Sequence, residues 1–355
     1  MSSQVHRPLP SDGTDHPVSL PTEQGAFHGE IIEPLPDFKW HDAPRSIIHP
    51  YQQADNLSFG MQTIPISELI SIDRTYLDNI NERIRVIQKN EDSVIGCEPG
   101  AEAAVRELYV WLVDNYLPQR FPTIFRIEGG EEVGRHILST SSSEGSCLKN
   151  LVTLQSYSLQ PPSSPLAALE VIGSLVDEDM LLMLPSPDND GYTLQAFVNC
   201  FANGPNTRRR LNMKLRDIHG AVPGFQSHLE QKLDRWIDLL KIGKVVRRAN
   251  WVVVDDGRMF VPEGHHPYKD EQSPVDIQKT FVRSESQTLY RLPRSKAVVF
   301  TIKTYLYPLT DIKAAGYGED LANAIEGLSK GNAPGIVEYK KSNIWGDIVK
   351  QFLRS

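Results

Sequence analysis

The chain has 355 residues, 40% of them hydrophobic and 23% charged, the composition of an ordinary soluble globular protein. A formal net charge of −8 argues against general nucleic-acid binding, which wants a basic face. No apolar run approaches the roughly 18 residues of a membrane-spanning helix, so neither nucleic acid nor membrane is expected as a partner.

Residues 1–35 are rich in Pro, Ser, Gly and His and are expected to form a disordered tail. Their opening, MSSQVHRPLPSDGTDHP, has no apolar segment of the kind a secretory signal needs. Residues 36–355 are expected to form one large domain. A short strand and a helix start are read at 59–70, then a helix over 76–88 with Ile80, Ile84 and Ile87 on one face. The segment 101–117, AEAAVRELYVWLVDNYL, predicts a helix stopped by Pro118. STSSSEGS at 139–146 reads as a surface loop. After the breaker 160–165 a helix is expected over 166–184, with Asp177, Glu178 and Asp179 forming a solvated acidic face. PSPDNDG at 185–191 is a turn before a strand at 192–200.

A short amphipathic segment, 211–218, ends at His219-Gly220, and a helix over 225–240 follows. Asp255-Asp256-Gly257 predicts a hairpin between strands at 251–254 and 258–261. Residues 281–294 read as a polar strap before a strand at 297–306, and helices near 318–329 and 344–353 close the chain. The class is therefore α+β, a mixed sheet with flanking helices. Three cysteines, Cys97, Cys147 and Cys200, are widely spaced and give neither a disulfide framework nor a CxxC pair. A reducing, cytoplasmic setting is the default.

The chain carries no Gly-rich phosphate loop, no HExxH and no GxSxG. His265-His266 beside Glu263 lacks a third metal ligand and reads as an exposed loop pair. His219 has two readings. A histidine at a helix end satisfies the last carbonyls, and a neutral imidazole in a partly apolar setting is an axial ligand for haem iron. The strap carries Arg283, Gln287, Arg291 and Arg294. Such donors before an apolar strand suit an anion at the mouth of a pocket, or are plain surface charges.

Several strings together carry a resemblance: FGMQ with Ile72-Asp73 and Tyr76, AEAAVRELYVWLV, KLRDIHGAVPGF, RRANWVVVDD, QTLYRLPRSKAVVFTIKTYLYPL and GNAPGIVEYKKSNIWGDIVKQFLRS. They resemble the haem-dependent oxidative N-demethylase alpha-subunit family, especially its fungal branch, over roughly residues 38–355. The resemblance implies a PAS-like fold with a mixed antiparallel sheet, and haem as cofactor. It implies a small-molecule amine as substrate, oxidised with dioxygen. Electrons would come from NADPH through a separate reductase with flavin and iron–sulfur subunits. A fungal member could serve a specialised-metabolite pathway. The alternative is a non-catalytic haem or small-ligand sensor of the same fold.

By the same resemblance His219 is the haem-facing histidine and metal ligand. Arg291 and Arg294 match an Arg-Leu-Pro-Arg/Lys run that pairs with haem propionates. Gln287 belongs to the same string, Trp251 could stack on the macrocycle, and Tyr305 lies on the final strand of the pocket. No catalytic residue is assigned. The chain departs from the pattern at Ser286, where an arginine is usual, and at 202–206, where the family's Phe-Pro-Ser is replaced. Both changes put haem retention and substrate choice in question.

Overall fold

The computed structural model describes residues 31–45, 59–129, 145–204, 206–261, 275–333 and 335–355. Among the described residues ten strands are formed: β1 Gln62–Ile64, β2 Ile95–Cys97, β3 Phe125–Glu128, β4 Cys147–Asn150, β5 Ser156–Ser158, β6 Glu178–Pro185, β7 Tyr192–Val198, β8 Val245–Val254, β9 Phe281–Arg291 and β10 Val298–Pro308. Seven of them pair in the order β1-β8-β9-β10-β6-β7-β2, every pair antiparallel. Strands β3, β4 and β5 form a small second sheet. The expected class holds in its general form: a mixed α/β chain with a large antiparallel sheet and flanking helices.

Several elements differ from the sequence reading. The polar strap is the 11-residue strand β9, paired along its whole length with β10. Its side chains are buried on both faces, so polar and apolar residues do not alternate as they do in a half-exposed strand. The helix expected over 166–184 ends at Leu175, where Val176 turns extended (φ −129, ψ 149), and residues 178–185 form β6. The run MLLML has no period that separates a buried helix from a buried strand. The hairpin at Asp255-Asp256-Gly257 is also not formed. β8 leaves the sheet at Val254, residues 258–261 are in no strand, and the partner of β8 is β9.

Pro118 does not stop its helix. Glu102–Val110 continues through a π-turn, Trp111–Tyr116, into Leu117–Arg120. Proline offers no N–H to the carbonyl one turn back, and the wider π-turn accommodates the missing bond. Residues 31–35, expected within the tail, instead pack on the core. Ile32 and Leu35 touch it, and the Leu35 amide donates to the Arg120 carbonyl at 2.9 Å.

Pairing register sorts the side chains of the central strands between two faces. Val246, Arg248, Asn250 and Val252 of β8 share one face with Leu289, Gln287, Glu285 and Arg283 of β9, and with Phe300, Ile302, Thr304 and Leu306 of β10. Trp251, Ser284 and Tyr305 belong to the other. That second face carries the main core. Val299, Tyr290, Met180 and Leu182 pack under the Tyr76–Val94, Glu102–Val110 and Pro165–Leu175 helices. Trp251, Val253 and Val282 pack with the C-terminal helices Gly318–Gly327 and Ser342–Arg354. On the first face Val246, Leu289 and Val298 lie beneath Leu215, Phe225, Leu233, Ile237 and Leu240. At its opposite end Val252, Val254 and Leu306 form a smaller apolar group.

Candidate binding cleft

Between those two apolar ends the first face of the sheet is polar and open. Phe300 and Ile302 on the central strand β10, and Leu181 beside them on β6, are only half-buried. Apolar side chains in mid-sheet with access to solvent mark this stretch as a candidate surface for a ligand. Along one side of this floor Gln287 Nε2 donates to Glu285 Oε2 at 2.8 Å, and Asn250 Nδ2 donates to the same oxygen at 3.4 Å. Gln287 Oε1 and Arg248 Nε are buried with no hydrogen-bond partner among the described residues. A pair of orphaned polar atoms on facing residues calls for a bound group.

His219 comes over this face on a short helix, Leu215–His219. Leu215 and Phe225, on either side of it in sequence, are buried against Val246 and Leu289 and so fix the segment on the sheet. The imidazole stacks on the Phe225 ring at 5.4 Å and 23°. His219 Nδ1 lies 2.7 Å from the Leu215 carbonyl oxygen. A carbonyl only accepts, so Nδ1 carries the hydrogen and Nε2 keeps its lone pair. Burial pushes the imidazole below its ordinary pKa against the pull of that carbonyl, and Arg248 and Arg210 push it further down. The helix-end reading is the one this bond describes, and it leaves the lone pair of Nε2 free of that carbonyl.

The C-terminal segment borders the cleft. Gly335 lies so close to Pro223 that an added Cβ would stand 3.1 Å from the proline ring. Tyr339 lies near Arg210. Lys340 Nζ donates to the Trp251 carbonyl and sits 5.0 Å from the centre of the Trp251 ring. Burial lowers the Lys340 pKa to about 8, with Glu285 opposing the shift and Arg248 adding to it.

The structure divides the residues singled out in the sequence. His219 and Gln287 belong to the cleft face. Arg291 is on that face too, but its guanidinium is fully occupied. Nε donates to Leu240 O at 2.9 Å, Nη1 to Lys296 O at 2.9 Å, and Nη2 to Ile237 O at 2.6 Å and Tyr192 Oη at 3.2 Å. It closes the end of the Glu230–Asp238 helix. Arg294 is exposed on the β9–β10 turn, where its backbone N–H donates to Glu107 at 2.7 Å. Trp251 and Tyr305 are buried on the opposite face, with the Tyr305 hydroxyl donating to Asp73 at 3.0 Å. Ser286 also belongs to that opposite face, so an arginine there would not point into the cleft. The residues missed in the sequence are Arg248 and Arg210. The available signal was RRANWVVV, a cationic pair leading a strand that is otherwise apolar.

The acidic run 177–179 is not a solvated helix face. All three residues are buried. Asp179 pairs with Arg83 at 2.5 Å, Asp177 contacts Lys303, and Glu178 accepts from the Ser71 amide at 2.9 Å. His265-His266 lies outside the described residues. Among the described residues no group of three or more His, Cys, Asp or Glu is placed to hold a metal ion, and no helix is long and apolar enough to cross a membrane. The three cysteines are unpaired.

A large antiparallel sheet with a half-buried apolar stretch, a histidine above it and arginines on the same face is a candidate site for an organic ligand. The family model described as "Haem-dependent oxidative N-demethylase, alpha subunit-like" matches residues 60–350, and the chain belongs to this family.

Proposed function

We propose that the cleft holds haem with His219 as the iron ligand, and that the protein oxidatively removes an N-methyl group from a small amine. The observation that carries this is the His219 imidazole, neutral, held by its Nδ1–H on the Leu215 carbonyl, with Nε2 left as a donor. A metal-binding histidine is held in this way, its other ring N–H donated to a backbone carbonyl. The residues around it fit the group. Leu181, Phe300 and Ile302 supply an apolar floor for a macrocycle, and Arg248 with Arg210 supplies positive charge for its carboxylates. The family's haem dependence supports the same reading.

When bound, haem supplies the redox-active iron that engages dioxygen. The chain's own residues do the rest. His219 fixes the iron side, Phe225 holds the imidazole plane by stacking, and the apolar floor excludes water. Gln287 Oε1, which lacks a donor, offers an acceptor to the N–H of a secondary amine. Oxidation at the N-methyl carbon gives a carbinolamine, which releases formaldehyde. Electrons are taken to arrive from NADPH through a separate flavin and iron–sulfur partner. A PAS-like fold and a fungal specialised-metabolite pathway belong to the same proposal and rest on the sequence resemblance, and a cytoplasmic setting rests on the sparse cysteines. The demethylase description of the family favours catalysis over sensing.

The test is turnover. Haem-loaded protein, reduced with dithionite and exposed to oxygen with dimethylamine or bulkier N-methyl amines, is expected to release formaldehyde in proportion to amine consumed. A haem-loaded protein that releases none with any of them would contradict the enzymatic reading.

A further inference from the structure

Among the described residues Glu285 is an anion that acts on both Arg248 and Lys340, and it shares one face of β9 with Arg283. The neighbouring Asp179 is matched by Arg83. Arg283 is occupied, donating to the Phe201 and Met259 carbonyls. Lys340 is occupied by the Trp251 carbonyl. Arg248 Nε is buried with no hydrogen-bond partner among the described residues, on a side chain that is otherwise half-buried. Arg248 stands opposite Gln287, which is held by Glu285 on its amide side. A buried guanidinium donor left without a partner is costly, so it persists where a bound acceptor completes it.

We propose that Arg248 binds a carboxylate on the sheet face that His219 overlies. A guanidinium fork matches the two oxygens of a carboxylate, and the adjoining floor of Phe300, Ile302 and Leu181 favours an organic anion with an apolar body over inorganic phosphate. The carboxylate belongs either to a haem propionate or to an N-methylated amino acid substrate. The first source rests on the haem reading above, and the second also holds if the cofactor is different.

Wild type, Arg248→Gln and Arg248→Lys are titrated with protohaem and with protohaem dimethyl ester, following the Soret band. Far-UV circular dichroism confirms the fold of each. The haem-loaded forms are then titrated with N-methylglycine and with dimethylamine, which differ by the carboxylate. Arg248→Gln is expected to weaken one carboxylate ligand by about tenfold or more while leaving its uncharged counterpart unchanged, with Arg248→Lys in between. Loss for protohaem but not the ester assigns Arg248 to a propionate. Loss for N-methylglycine but not dimethylamine assigns it to substrate. Equal behaviour of Arg248→Gln and wild type towards all four ligands overturns the proposal. If the wild type shows no Soret band, the haem reading fails by itself. Thermal stabilisation by N-methylglycine then decides the role of Arg248: lost in Arg248→Gln it stands, and absent from the wild type it falls.

Discussion

Arg248 and Gln287 are direct partners across β8 and β9, and each turns a buried, unbonded polar atom to the same face of the sheet. A folded protein rarely leaves a matched donor and acceptor idle in its interior. Here they flank the half-open floor over which His219 sits. The second face is packed with helices along the central strands, whereas on the first face helices cover one end and leave this polar stretch half-buried.

Arg291 is expected to act on stability and not on the ligand. Its guanidinium holds three backbone carbonyls, those of Ile237, Leu240 and Lys296. Arg291→Met leaves those groups unsatisfied and removes about 2–4 kcal/mol of unfolding free energy in urea titrations. The haem affinity of the folded fraction stays at the wild-type value. A selective loss of haem affinity at unchanged stability would return Arg291 to the propionates.

Glu178 makes stability fall as the medium turns alkaline. Burial raises its carboxyl to about 7 from an ordinary 4.5, with Lys303 opposing and Asp177 adding to the shift. A raised acid binds its proton more tightly in the folded chain. Its contribution is complete below 4.5 and is lost as pH rises through about 7. Glu178→Gln keeps an oxygen for the Ser71 amide and is expected to flatten the dependence of urea midpoint on pH over that window. An unaltered profile would show that Glu178 does not titrate there.

The sign at His219 is opposite. Its folded-state pKa lies below the ordinary 6.5, chiefly through burial. Below 6.5 the unfolded chain takes up a proton that the folded one refuses, so apoprotein stability falls as pH drops from that value. Comparing His219→Gln with wild type isolates this slope from that of Glu178. A wild-type imidazole titrating at or above 6.5 by NMR would contradict the assignment of a neutral donor.

Arg83 and Asp179 form a buried pair at 2.5 Å, and Asp179 also accepts from the Cys200 and Phe201 amides. This anchors the segment after β7 beside the cleft. Arg83→Met strands the carboxylate and is expected to lower stability by about 3–5 kcal/mol in urea titrations. A loss below 1 kcal/mol, by the same measurement, would mean that the backbone amides suffice.

The helices at 76–94, 102–110 and 318–327 were legible because their apolar residues recur at helical spacing. β9 was not. Its Arg283, Glu285, Gln287 and Arg291 read as a surface strap, yet each is buried among carbonyls or other charges supplied by distant parts of the chain. The acidic residues 177–179 failed for the same reason, since Arg83 and Lys303, which balance two of them, are far away in sequence. His219 stood out by its place before Gly220. Arg248 did not, because a cation that lacks a partner is visible only once the fold shows what surrounds it.

The central claim is that His219 Nε2 binds haem iron. Wild type, His219→Ala and His219→Ala with added imidazole are reconstituted with haem, and their absorption spectra are recorded. A Soret band in the wild type that shifts or vanishes in His219→Ala and returns with imidazole is the predicted result. A wild type with no Soret band, or a His219→Ala spectrum identical to that of the wild type, would contradict it.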